Sequence, residues 1–294
     1  MPTLLSPLTD AQRQLMPTAA DTSSYNEHGY WISEVIIPDD VLDAAETGMR
    51  RFYAGDWDAA GTDNGEDGIV ELANRGTEWG SEIRKSDYAS RVVRELADLI
   101  AYPMIGATAG VLSCADGIRL WHDQLLYKPT DQPGAGTKVG WHTDRQYWLS
   151  CSSAEMLTAW VGFHDVDPEG GSVGFFDRSH RWDVEGLDFF SQDLAGLEKS
   201  VAEQGFGIEQ VPVAMRRGQV SFHHCRTVHG SGPNRRPEPR RSIAIHLQPL
   251  DNHFSGNLEK TGEVARHGND QRVRQVDGVP DYADETVCPV LWQR

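Results

Sequence analysis

"HGSGPNRRPEPRRSIAIHLQP", His229 to Pro249, is a tight turn followed by a strand with two unlike faces. His229 ends one strand pattern, and the Gly-Ser-Gly-Pro-Asn run after it is a strong turn signal. A new strand begins near Arg240. Side chains two apart in a strand share a face. Arg240, Ser242, Ala244, His246 and Gln248 therefore point one way, and Arg241, Ile243, Ile245 and Leu247 the other. The apolar face is expected to pack outward against helices, and the polar or small face to line a cavity. Arg240 falls on the cavity face, where a guanidinium suits a two-pronged grip on a carboxylate. Arg241 falls on the outer face.

Around this strand the second half of the chain is a series of short runs rich in β-branched and aromatic residues, separated by Gly, Pro and Asp. They predict strands near 118–128, 138–144, 155–165, 172–176, 210–214, 218–224 and 241–248. The first third differs. A short strand over Tyr30–Ile37 precedes a helix opened by Pro38, Asp39 and Asp40. In "YASRVVRELADLIAYPMIGATAGVL", Val92, Val93, Leu96, Leu99 and Ile100 keep helical spacing until Pro103 interrupts it. The fold expected is mostly β, a barrel or sandwich with flanking helices. One domain is expected over 1–294: a mainly helical part (1–115), a β core (116–250) with a partly helical insertion at about 182–205, and a tail (251–294). In that tail, Val290, Leu291 and Trp292 are placed to pack back on the core. The acidic, Gly-rich loop 56–72 is either solvated or a cover for the cavity mouth.

Composition narrows the function classes. A formal net charge of -17 argues against nucleic-acid binding, because a polyanion is repelled before docking. No run of about 18 apolar residues predicts a membrane span. The N-terminal residues lack a basic segment followed by an apolar one, so a cytoplasmic location is the default. Cys114, Cys151, Cys225 and Cys288 are scattered with no C-x-x-C pair, as in a reducing compartment. A monomer or homodimer is expected.

The chemistry starts in "VGWHTDRQYW", Val139 to Trp148. On a strand, His142 and Asp144 would project to the same side and supply two legs of a two-histidine, one-carboxylate iron site. Alone, H-x-D describes a surface His–Asp hydrogen bond equally well. The third leg has to come from elsewhere, and His229 stands about ninety residues on. His223 and His224 read as strand histidines satisfied by backbone or water. His122, His164 and His180 read as non-ligands, and His246 reaches the cavity from the face of Arg240. Trp141 and Trp148 read as core. Arg145 and Tyr147, just after the carboxylate, are candidate substrate contacts.

These parts together resemble the phytanoyl-CoA dioxygenase (PhyH) family of Fe(II)- and 2-oxoglutarate-dependent oxygenases. The resemblance rests on the H-x-D of "WHTD", the histidine of "HGSGPN", the arginine eleven positions later, and the block "LTAWVGFHDVDPEGGSVGFFDRSHRW". With the opening "HGYWISEVIIPDDVLDAAETGMRR", it spans most of residues 25–248. It implies a double-stranded β-helix, a cupin-like jelly roll. It also implies iron bound by His142, Asp144 and His229. Arg240 and Ser231 would bind the distal carboxylate of 2-oxoglutarate, with Trp160 beside it and Gln124 and Lys128 on a neighbouring strand. O2 would be the oxidant and a small molecule the substrate, with hydroxylation as the default outcome. Desaturation, epoxidation, cyclisation and epimerisation use the same iron site. Related halogenases replace the carboxylate of H-x-D by Gly or Ala, so the intact Asp144 disfavours halogenation. With no clustered basic patch evident, a secondary metabolite suits the chain better than a CoA thioester. Two other readings stand beside this one: a non-catalytic jelly-roll binding protein, which has no need of Arg240 and Ser231, and a zinc hydrolase, for which no motif places a general base.

Overall fold

Two antiparallel sheets build the core of the chain in the computed structural model, which describes residues 7–58, 83–132, 137–182 and 194–294. The larger sheet holds β1 (Tyr30–Ile32), β2 (Arg84–Asp87), β3 (Gly117–Lys128), β5 (Leu157–Gly162), β8 (Val220–His224), β10 (Arg240–Pro249) and β13 (Val290–Gln293). Its order is β1-β8-β5-β10-β3-β13, with β2 paired to the far end of β3. The smaller sheet runs β4 (Val139–His142), β9 (His229–Ser231), β6 (Gly174–Phe176), β7 (Gln210–Pro212). Leu126, Trp160 and Ala244 of the larger sheet meet Val173, Phe175 and Val213 of the smaller side in one apolar cluster. This is the jelly roll expected. A separate hairpin joins β11 (Gln275–Val276) to β12 (Val279–Pro280).

The first five helices lie on the outer side of the larger sheet, while the sixth packs through Leu197 and Val201 against Phe176 and Trp141 of the smaller sheet. They are α1 (Asp10–Gln14), α2 (Ala19–His28), α3 (Asp39–Ala54), α4 (Arg94–Ile100), α5 (Pro103–Leu112) and α6 (Leu194–Glu203). Thr9 with Gln12 and Thr18 with Asp21 close capping boxes at the starts of α1 and α2. In α3, Asp39 and Asp40 lie in the first turn, Arg51 in the last, and Gly55 ends it in the left-handed region at φ 72°. Pro103 is tolerated because it stands at the first turn of α5, where its missing N–H has no helical partner to lose.

The two faces of β10 divide as its alternation requires. Ile243, Ile245 and Leu247 are 0% exposed and share a cluster with Leu42, Phe52 and Leu96 from α3 and α4. Each such burial contributes about 1.5–3 kcal/mol. Arg241 lies on this outer side and pairs with Glu46 of α3 at 2.5 Å. Arg94–Leu112 has the length and hydropathy to cross a membrane, although charged residues interrupt its apolar run. It is 61% buried inside the fold and broken at Pro103, the arrangement of a core helix pair. The tail reaches the sheet through β13, where α5 packs so closely that a Cβ on Gly110 would overlap the Trp292 ring.

Several boundaries move. The first strand stops at Ile32, because the N–H groups of Ile36 and Ile37 turn to the Gly218 carbonyl. The strand expected over 138–144 ends at His142, and Asp144–Tyr147 form a 3-10 turn. Gln146 folds back to accept a hydrogen bond from Thr143 N–H, which closes that turn. His229 opens a strand rather than ending one. The strands β2 and β13 were not anticipated. Of loop 56–72, residues 59–72 lie outside the described residues, as do 183–193 of the expected insertion.

Candidate active site

Strand register stacks the inner face of the larger sheet in rows. Lys128 pairs with Arg240, and Leu126 with Ser242 and then Gly162. Gln124, Ala244, Trp160 and Ser221 form the next row, and His122, His246, Thr158 and His223 the one after. Between the sheets lies a cavity of about 660 Å³, large enough for a cosubstrate and a mid-sized organic molecule together.

His142, Asp144 and His229 converge on one wall of it, each offering an atom within 4.8 Å of the others. His142 and His229 are register partners across β4 and β9, while the 3-10 turn swings Asp144 in beside them. The protein presets both imidazoles. His142 Nδ1 donates to the Gly140 carbonyl at 2.8 Å, and His229 Nδ1 to the Thr227 carbonyl at 2.9 Å. A carbonyl only accepts, so each Nε2 is left with a lone pair for a metal. Thr158 Oγ1 donates to Asp144 Oδ2 at 2.6 Å, while Oδ1 lies 3.5 Å from His229 Nε2. One carboxylate oxygen is thus held and the other faces the histidines.

Burial, then the neighbouring His229, pushes the pKa of His142 down to about 4, and burial pushes His229 down to about 4. Burial opposes the ionised Asp144, but His229 and His223 outweigh it and hold the carboxyl well below its usual range. At neutral pH the site is two neutral imidazoles and one carboxylate, the donor set a divalent iron requires. The unfolded histidines take up protons near 6.5 and the folded ones only near 4. Between those values the unfolded chain binds more protons, so stability falls as pH falls. The metal-free protein is expected to show a melting temperature that drops from about pH 6.5 toward pH 4. A flat profile across that window would contradict the assignment.

The Arg240 end has a different character. Arg240 is 3% exposed, its Nη1 donates to the Gly171 carbonyl at 2.8 Å, and its Nε has no protein partner. Its guanidinium lies 5.3 Å from the Trp160 ring centroid. Lys128 is fully buried and donates to Ser231 Oγ and the Gly232 carbonyl, both at 2.6 Å. Burial, then Arg240 and Lys85, pushes Lys128 down to about 6, and burial alone lowers Arg240 to about 9. Among the described residues neither Arg240 nor Lys128 has a carboxylate partner, and burial leaves Lys128 largely uncharged at neutral pH. An anionic ligand group would offset that cost, so these residues fit a dicarboxylate cosubstrate.

The remaining predicted residues divide. Gln124 lines the cavity and donates to Asp87 Oδ1 at 2.9 Å. Tyr147 lines the mouth, 50% exposed, and His246 is in the wall. Arg145 is turned away from the cavity. Its Nη1 donates to the carbonyls of Trp148, Cys151 and Ser153 at 3.0, 3.1 and 2.9 Å, tying the following turn together. Trp141 packs tilted against Phe176, with ring centroids 4.1 Å apart, and Trp148 is buried, yet both also line the cavity. His223 is not a strand histidine satisfied by backbone. It is 2% exposed, neither ring nitrogen has a hydrogen bond, and its Nε2 lies 3.4 Å from Asp144 Oδ2. Thr158, His122, His267, Lys85 and Asp87 also line the cavity and were missed. The alternation that placed Gln124 and Lys128 inward reaches His122 as well, so that signal was available. None marked His267.

The profile of the phytanoyl-CoA dioxygenase (PhyH) family matches residues 25–242. The peroxisomal phytanoyl-CoA dioxygenase of Bos taurus is 22% identical over 184 residues, covering 58% of this chain and 55% of that protein. The chain thus spans about half the length of that relative. Among solved structures, the alpha-ketoglutarate-dependent carbocyclase SnoK from nogalamycin biosynthesis superposes with TM-score 0.69 at 21% identity, covering 97% of this chain and 99% of SnoK. EctD from S. alaskensis, with 2-oxoglutarate and 5-hydroxyectoine, gives 0.61 at 20% identity, covering 87% and 83%. At these identities the likeness concerns the fold.

Proposed function

The chain belongs to the phytanoyl-CoA dioxygenase (PhyH) family, and from that premise we propose that it is an iron(II)- and 2-oxoglutarate-dependent oxygenase acting on a small organic molecule. The observation that carries this is the pairing of a preset His142–Asp144–His229 site with a buried, unneutralised Arg240 in the same cavity. His142 Nε2, His229 Nε2 and Asp144 Oδ1 would hold the metal. Arg240, with Ser231 and Lys128 behind it, would bind the distal carboxylate of 2-oxoglutarate over Trp160. When bound, iron and 2-oxoglutarate supply the oxidising power, with O2 consumed and succinate and CO2 released.

The protein contributes position and exclusion. Thr158 keeps Asp144 Oδ2 engaged, with His223 Nε2 3.4 Å away, which fixes the direction of Oδ1. The carbonyls of Gly140 and Thr227 fix the ring tautomers. Trp141, Trp148 and Trp160 wall the cavity and limit bulk water at the site. Hydroxylation of a secondary metabolite is the outcome proposed. The same fold carries a carbocyclase in SnoK, so the product decides between insertion of oxygen and ring formation. A cytoplasmic location fits the four unpaired cysteines.

The test is single. Anaerobically purified protein given Fe(II), 2-oxoglutarate and then O2 is expected to form succinate, and His142→Ala to form none above background. Failure of the unaltered protein to form succinate with a broad panel of small substrates would contradict the proposal.

A further inference from the structure

We propose that the histidine end of the cavity holds the substrate, and that this substrate is a neutral ring compound bearing a hydroxyl group. This rests on the oxygenase reading and names its substrate class. His246 lies six residues from Arg240 on the same face of β10, roughly 20 Å along the strand. Thr158 links it to Asp144, so a molecule held here lies beside the proposed metal ligands and away from the carboxylate clamp.

Three imidazoles form this end. His122 and His246 are register partners with ring centroids 4.3 Å apart, and His267 comes from the tail to 5.0 Å from His122. The tail is fixed there: Asn269 Nδ2 donates to the Trp121 carbonyl at 2.5 Å, and Tyr282 donates to Asp270 at 2.7 Å.

The surrounding hydrogen bonds settle two of the tautomers. Asn269 N–H donates to His267 Nδ1 at 3.1 Å, so His267 carries its proton on Nε2 and is a donor there. Thr158 has one hydroxyl proton and gives it to the Asp144 carboxylate. Its oxygen must then accept from His246 Nδ1 at 2.8 Å, which leaves His246 Nε2 as an acceptor. His122, 8% exposed, has no hydrogen-bond partner at Nδ1. Because His267 accepts at Nδ1, its ring is an uncharged imidazole. The wall therefore offers an acceptor at His246 and a donor at His267, the complement of a hydroxyl group.

The lining argues for a ring. Of the aliphatic lining groups only the small Ala244 adjoins His246, while Leu126 lies one pair from Lys128 on β3, Val139 pairs with Ser231, and Val173 follows Ser172 beside Gly171. The histidine end is flat π surface, with Trp148 edge-on to His246 at 5.0 Å and Tyr147 at the mouth. An alkyl chain would find little aliphatic wall here, whereas a ring gains stacked or edge contacts. Of the charged groups near it, Asp87 already accepts from Gln124, the exposed Arg266 lies on the Phe254 ring at 5.0 Å, and Arg272 lies over the Tyr88 ring at 4.1 Å and donates to the Gly268 carbonyl.

The probes are 2-naphthol, its methyl ether 2-methoxynaphthalene, and decanoyl-CoA, titrated calorimetrically into protein loaded anaerobically with Fe(II) and 2-oxoglutarate. The ether keeps the acceptor for His267 but loses the donor for His246. 2-Naphthol is expected to bind about tenfold more tightly than the ether. His246→Phe should erase that preference. His267→Phe should weaken both naphthalenes about tenfold and leave 2-oxoglutarate affinity within twofold, a control His246→Phe cannot give because His246 touches Thr158. Equal binding of the two naphthalenes, binding unchanged in both variants, tighter binding of decanoyl-CoA, or no binding of either naphthalene overturns the inference. If 2-oxoglutarate itself fails to bind the unaltered protein, the oxygenase reading falls instead.

Discussion

Asp144→Asn is expected to lower iron affinity by on the order of 100-fold or more and to abolish 2-oxoglutarate turnover with it. The substitution keeps the size of the side chain and leaves an oxygen able to accept from Thr158, so the fold is preserved. What it removes is the negative charge, held ionised against its burial, that balances a divalent ion between two neutral imidazoles. Loss of an outer-shell partner typically costs 10- to 100-fold, and loss of the charged ligand itself should exceed that. Thr158→Val supplies the comparison, because it leaves the charge in place and removes the hydrogen bond at 2.6 Å that orients the carboxylate, together with the one from His246 at 2.8 Å. Metal titration of the two variants should rank Asp144→Asn well below Thr158→Val. Equal affinities would mean that Asp144 is not a ligand.

The second large effect separates two adjacent arginines. Arg240→Ala is expected to weaken 2-oxoglutarate binding by about 2–5 kcal/mol, at least roughly 30-fold, because it removes a buried partner of a charged ligand. Arg241→Ala should leave that affinity unchanged. Arg241 points to the outer face and pairs with Glu46 at the surface of α3, at 24% and 18% side-chain exposure. Breaking that pair should cost about 1 kcal/mol of stability or less. Calorimetric titration of 2-oxoglutarate into both variants checks this, and equal weakening would refute the division of β10 into an inner and an outer face.

Much of this division could be read from the sequence because strand alternation is local. Arg240, Ser242, Ala244 and His246 needed only their spacing to be placed on one face, and the same rule put Gln124 and Lys128 on one face of their own strand, while the resemblance set that strand next to the site. Many short strands with turn residues between them gave a barrel or sandwich, and the jelly roll came only with the family resemblance. What escaped was set by contacts distant in sequence. The row His122–His246–Thr158–His223 exists only once β3, β10, β5 and β8 are in register. His267 arrives on a tail whose path depends on Asn269 reaching the Trp121 carbonyl. Arg145 misled for a related reason. Three carbonyls of the turn after it needed a donor, and its guanidinium supplies one instead of reaching a substrate. The H-x-D pair does not share a strand face as its spacing suggests: His142 is on a strand, but Asp144 comes beside it through a 3-10 turn.

The central claim is that one cavity joins a metal held by His142, Asp144 and His229 to a carboxylate held by Arg240. Anaerobic titration of 2-oxoglutarate into the Fe(II)-loaded protein, followed by visible absorption, tests it most directly. The account predicts a saturable charge-transfer band that needs both iron and 2-oxoglutarate, is lost in Asp144→Asn, and requires at least roughly 30-fold more 2-oxoglutarate in Arg240→Ala. No band in the unaltered protein, or the same titration curve in Arg240→Ala, would contradict it.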